Sequence, residues 1–171
     1  KQQHNTDILK FKTIWVLNYT LLFTTLLSFI NIAKLKNRTL GLFNLALNAI
    51  AILIFLIQGL HVLSELRDSY LEGTMAVYYQ VGTFYIGIRY VSYIFVVITL
   101  LACYMYIRQK FMSINLKMTF ELLLHLALLW IASSELINLM ELAGSSRSDK
   151  LGLSILWGFY SLLLIALGIW K

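Results

Sequence analysis

Three long stretches without a single Asp, Glu, Lys or Arg, namely Thr13 to Ala33, Leu40 to Leu63 and Leu151 to Trp170, limit what this chain can fold into. Each reaches the roughly 20 residues that a helix rising about 1.5 Å per residue needs to cross a hydrocarbon core about 30 Å thick. Two further stretches have the length but carry ionisable groups: Phe84 to Ile107 holds Arg89, and Met118 to Met140 holds Glu121, His125 and Glu135. Only 13% of the residues are charged and 60% are hydrophobic, against about 25% charged in an ordinary soluble domain. A soluble fold of this length cannot enclose so much apolar surface. The expectation is an all-α, polytopic helical membrane bundle of about five transmembrane helices, one transmembrane domain over 1–171.

The net charge of +6 does not point to nucleic acid, because the cations sit in short loops at span ends and form no stripe interleaved with surface aromatics. The loop with Lys34, Lys36 and Arg38 and the loop with Arg108, Lys110 and Lys117 hold no acid. The other two loops are acidic or balanced, with Glu65, Arg67, Asp68 and Glu72 in one and Glu141, Arg147, Asp149 and Lys150 in the other. The positive-inside rule then places the basic loops in the cytoplasm, the start of the chain outside and Lys171 inside, although Lys10 and Lys12 run against this. An outside start with no cleavable leader is expected where further helices precede Lys1, so the chain reads as a fragment of a larger membrane protein. Cys103 has no intrachain partner and reads as a small core residue.

A weak internal repeat supports tandem helical hairpins. Ser64-Glu65-Leu66 recurs as Ser134-Glu135-Leu136, and Tyr90 and Tyr160 share that spacing of 70 residues. The segment Ser154-Ile155-Leu156-Trp157-Gly158-Phe159-Tyr160-Ser161-Leu162-Leu163-Leu164-Ile165-Ala166-Leu167-Gly168, preceded by Glu121 to Glu141 with its Ser-Ser-Glu-Leu, resembles the C-terminal part of a family of large bacterial multi-pass membrane proteins known as domain of unknown function 2339. The resemblance implies a bacterial inner-membrane protein with more helices than these five, and it transfers no catalytic residue.

Polar groups inside a membrane are costly, so they are where function is sought first. On the second span Asn44, Asn48, Gln58, His61 and Glu65 fall within an arc of about 140°. On the fourth, Glu121 and His125 stand four apart, with Glu135 near the same face. Thr20, Thr24, Ser28 and Asn31 line one side of the first. These groups suit either a polar path between helices or interhelical hydrogen bonds worth about 1 kcal/mol each. Arg89 and Glu135 are expected at similar depth as an ion pair, which Glu65 could join. Ser154, Gly158, Ser161 and Gly168 form a small-residue face suited to close helix packing. Trp15, Tyr78, Tyr79, Tyr85, Tyr106 and Trp170 read as interfacial anchors.

No metal, thiol-redox, hydrolase or nucleotide motif occurs, and no cofactor is expected. The absence of proline favours continuous spans over the broken helices that many transporters use. The functional expectation is a non-catalytic structural or transport-associated module, with the lipid bilayer and further transmembrane helices as partners. The alternatives are an intramembrane enzyme of lipid or glycan chemistry using Glu121, His125 and Glu135, or a proton-coupled carrier.

Overall fold

The computed structural model describes residues 2–71, 84–113, 115–144 and 149–170, and of residues 2–8, 84–86 and 149 the backbone only. Regular structure among the described residues is entirely helical. Helix α1 (Gln2–Ile30) runs on into a π-helical turn, Asn31–Leu35. Helix α2 (Arg38–Ile54) passes through a second π turn, Phe55–Gly59, into α3 (Leu60–Leu71). Then come α4 (Phe84–Ile107), a 3-10 turn at Lys110–Met112, α5 (Lys117–Leu142) and α6 (Asp149–Trp170). Five segments are long and apolar enough to cross a membrane: Leu9–Leu35, Arg38–Leu71, Gly87–Ile107, Lys117–Leu142 and Lys150–Trp170. They overlie the five spans expected from the sequence.

The break between α1 and α2 is made by one asparagine. Lys36 turns the chain in the left-handed region (φ 49°) and donates its N–H to the Asn31 carbonyl at 2.7 Å. The Asn31 side chain then grips Asn37, donating to its carbonyl and accepting from its N–H at 3.0 Å each. Asn37 in turn accepts from the Leu40 N–H at 3.1 Å, the cap that starts α2. The other turns are closed similarly, with Ser113 (φ 50°) before α5 and Gly144 (φ 72°) after it in the left-handed region.

One expectation fails in the second span. Glu65, Arg67 and Asp68, read as loop residues, lie inside α3, while Glu72 falls outside the described residues. The rod from Arg38 to Leu71 has 34 residues, about 51 Å at 1.5 Å each, well beyond the length a bilayer core requires.

The chain divides into two compact units, Lys1–Leu124 and His125–Lys171, with the boundary inside α5. In the first unit α1, α2 and α4 pack against one another. A hydrogen bond from Thr25 to Thr99 and one from Asn31 to Tyr106 show that α1 and α4 run parallel, with a shift of 74 to 75 residues. The Asn48–Ser28 bond and the approach of Lys10 to Glu65 show α2 and α3 running the opposite way. Apolar layers between these rungs are closed by Ile14, Leu21, Ile52, Phe55, Ile88 and Val96, each at most 1% exposed. At Gly41 a Cβ would stand 2.6 Å from the Met112 sulfur and 3.3 Å from the Asn31 amide nitrogen, so glycine lets the chain pass there.

The second unit is a hairpin of the remainder of α5 with α6. The two helices come close at Gly152, where a Cβ would lie 2.8 Å from the Met140 sulfur. No residue of α6 whose side chain is described is buried.

Candidate functional site

A buried polar ladder runs along the first unit. At the end bearing the basic loops, the Tyr106 hydroxyl, wholly buried, accepts from the side-chain amides of Asn31 at 3.1 Å and Asn44 at 3.0 Å. One turn further, Asn48 donates to Ser28 Oγ at 2.8 Å. The next rung joins the Thr25 and Thr99 hydroxyls at 2.9 Å. Beyond it stand Asn18 and Ser92, both at most 1% exposed. From Asn31 to Asn18 this covers thirteen residues of one helix, roughly 20 Å.

The ladder is built from neutral amides and hydroxyls that pair helix to helix. Tyr106 closes three helices on one oxygen. Serines and threonines bind back to carbonyls four residues earlier, as Ser28 does to Thr24 and Ser92 to Ile88, which meets their hydrogen-bonding needs without loops. Asn18 departs from this pattern, since neither of its side-chain polar atoms has a hydrogen-bond partner. By the register of the other rungs it lies at the level of the π turn Phe55–Gly59. Such i→i+5 turns are often placed at functional sites.

At the far end the charges are in the first unit too. Arg89 and Arg67 are 2% and 4% exposed; Arg67 forks onto the adjacent Asp68 carboxylate at 2.8 and 3.1 Å. Glu65 lies 3.9 Å from Lys10 and 3.7 Å from His61.

The second unit holds a different polar set. His125 Nδ1 and the Tyr160 hydroxyl are 2.8 Å apart, and Trp157 Nε1 donates to Ser133 Oγ at 3.0 Å. Glu135 accepts from Asn138 Nδ2 at 3.3 Å, the latter residue buried. His125 also borders a half-open cleft of about 360 Å³ with Leu164, Leu167, Gly168 and Trp170.

Several expectations change. The single polar stripe on the second span is split: Asn44 and Asn48 are buried, whereas Gln58 is exposed and the His61 side chain is 71% exposed. The reason is the π turn between them. It inserts a residue and turns everything beyond it back by roughly 100°. On α1, Thr24, Ser28 and Asn31 face the core as expected, but Thr20 is exposed and binds only the Val16 carbonyl. Tyr106, read as an interfacial anchor, is instead the hub of the ladder. Tyr78 and Tyr79 lie outside the described residues, as does the Tyr85 side chain. Glu121 approaches Lys117 at 4.0 Å. On the small-residue face of Ser154, Gly158, Ser161 and Gly168, a Cβ at Gly158 or Gly168 would meet nothing within 4 Å among the described residues.

Sequence reading missed Asn18, Thr25, Thr99, the buried role of Tyr106 and the partnership of Tyr160 with His125. A signal for some of them exists. Ser92, Thr99 and Tyr106 recur every seven residues on α4, matched by Asn18 and Thr25 on α1, the spacing of a helix-packing seam. Among the described residues no group of three or more His, Cys, Asp or Glu side chains gathers as metal ligands would. Comparison of the chain with protein-family models, curated proteins and solved structures finds no match.

Proposed function

We propose that this chain is a non-catalytic structural or transport-associated module of a bacterial inner membrane, part of a larger helical assembly. What supports the reading most is the chemistry of the ladder. Its paired rungs are neutral amides and hydroxyls bonded from helix to helix, an arrangement suited to holding helices in register. The uncovered faces of α6 are the natural place for lipid and for neighbouring helices. The family resemblance of Ser154 to Gly168 belongs to the same proposal. So does an orientation with Lys34 to Thr39 and Lys110 to Asn115 in the cytoplasm and Ser69 to Met75 and Ser145 to Asp149 outside. Single cysteines in those loops, in a Cys103→Ser background, should react with an impermeant thiol reagent only in the second pair. Reaction of the basic loops from outside reverses the orientation.

The proposed ion pair of Arg89 with Glu135 is tested by a double-mutant cycle. Arg89→Leu and Glu135→Leu should each destabilise, and together cost less than the sum. Strictly additive losses remove the pair.

The contact of His125 with Tyr160 beside a cleft favours one competing reading, an intramembrane enzyme of lipid or glycan chemistry with Glu121, His125 and Glu135 as its acid and base groups. His125→Ala separates the two. A folded variant that keeps the protein's cellular role supports the structural module, and a folded variant that loses it supports the enzyme. For a proton-coupled carrier, uptake into proteoliposomes should respond to pH and to Glu135→Gln.

A further inference from the structure

We propose that the cleft between the end of α4 and the start of α5 binds the phosphate headgroup of an anionic phospholipid. The cleft is about 370 Å³ and is lined by Tyr104, Ile107, Arg108, Asn115, Leu116 and Lys117. Two cations and an amide therefore face one space. Arg108 is held in place from one side, because its Nη1 donates to the Tyr104 hydroxyl at 3.2 Å and its guanidinium lies 5.4 Å from the centre of that ring. Tyr104 is itself braced by Phe120, ring to ring at 5.8 Å. A guanidinium has five N–H donors, so one bond to a phenol leaves a fork for two phosphate oxygens. Lys117 adds a second positive charge; its contact with Glu121 is long, 4.0 Å, and its side chain is 72% exposed.

Charge around the cleft favours an anion. No Asp or Glu occurs from residue 90 to residue 120, and Lys110 lies in the same connection. Lys34, Lys36 and Arg38 stand at the same end of the first unit, since Gly41 approaches both Met112 and Tyr106. Apolar surface begins where the cations stop. Ile107 and Leu116 form part of the lining, and Met118 and Leu122 on α5 are 85% and 72% exposed. A ligand with a phosphate at one end and acyl chains at the other matches this sequence of surfaces, whereas inorganic phosphate leaves the apolar part unused. Basic pockets between helix ends at a membrane surface take lipid headgroups for this reason.

The proposal rests on the reading that the helices span a membrane, and the two can fail separately. Extraction of the chain from membranes by alkaline carbonate would refute the spanning reading without touching the cleft. For the cleft, the full chain in a nonionic detergent is titrated with phosphatidylglycerol, with phosphatidylcholine and with inorganic phosphate, and its thermal midpoint is followed. Phosphatidylglycerol should raise the midpoint and the other two should not. Arg108→Gln with Lys117→Gln should weaken the apparent affinity roughly 30-fold, from about 1 kcal/mol per cation. Lys34→Gln with Lys36→Gln, likewise exposed and removing the same charge, should keep most of the effect. Equal protection by phosphatidylcholine, protection by phosphate alone, or equal losses in the two double variants would each overturn the site.

Discussion

The two units spend polar residues in opposite ways. In the unit of α1 to α4, Asn31, Asn44 and Tyr106 meet at one buried oxygen, and further rungs at Ser28 with Asn48 and Thr25 with Thr99 repeat the device along the bundle. In the hairpin of α5 and α6 the contacts between described side chains of the two helices include His125 with Tyr160 and Trp157 with Ser133, and they stand on partly open faces. A ladder that spans three helices fixes their rotation and depth together, because slipping one helix by a turn breaks every rung. Pairs of this kind, each joining two helices, fix the distance between them and less of their rotation. The first unit is therefore the more firmly fixed of the two.

That contrast can be broken at Tyr106. Tyr106→Phe leaves one N–H of Asn31 and one of Asn44 without their shared acceptor, and we expect a loss of about 2 to 3 kcal/mol in reversible unfolding from detergent. A loss under 0.5 kcal/mol would mean that the ladder contributes little to the first unit. Next comes Asn18, the buried amide without a partner. Asn18→Leu, with the same branching and number of side-chain heavy atoms, should stabilise by about 1 to 2 kcal/mol. Destabilisation instead would show that the amide has a ligand in the native protein.

Thr25→Val and Thr99→Val probe a middle rung. Each should cost about 1 kcal/mol and the pair less than the sum, since the second substitution removes a group already without its partner. In the hairpin, His125→Phe should cost about 0.6 kcal/mol, the average for one interhelical bond in a membrane protein. A cost equal to that of Tyr106→Phe would erase the difference between the units. Smallest of all is Gly158→Ala, where a new Cβ meets nothing. Helix propensity alone predicts neutrality or a gain of up to about 1 kcal/mol. A clear loss confined to the protein in its native membrane would place a neighbouring helix on that face.

How far residues could be read from the sequence depended on which physical rule governed them. Apolar runs, three of them uncharged and two carrying a few ionisable groups, gave all five long helices, because span length follows from hydropathy and helical rise. Asn31, Ser28 and Thr24 were legible as one side of the first helix because that helix stays α-helical between them. Gln58 and His61 were misplaced because a π turn cannot be read from helical periodicity. Tyr106 was misread because a tyrosine near a span end has two stable solutions, the interface or a buried partner. Only the positions of Asn31 and Asn44 on other helices select the second.

By itself the sequence determined the helical class, the five long apolar segments, the clustering of cations in two loops and the polar character of several helix faces, all of which follow from local composition and a fixed rise and turn per residue. Only the tertiary structure decided which polar groups become partners, that Asn18 has none, that α1 and α4 run parallel with Tyr106 between them, and that Arg108 and Lys117 share a cleft. Those depend on the rotation and depth of each helix relative to its neighbours. Residues 62 to 75 apart in sequence are brought within 3.1 Å by the packing of whole helices, and no local rule of periodicity contains that information.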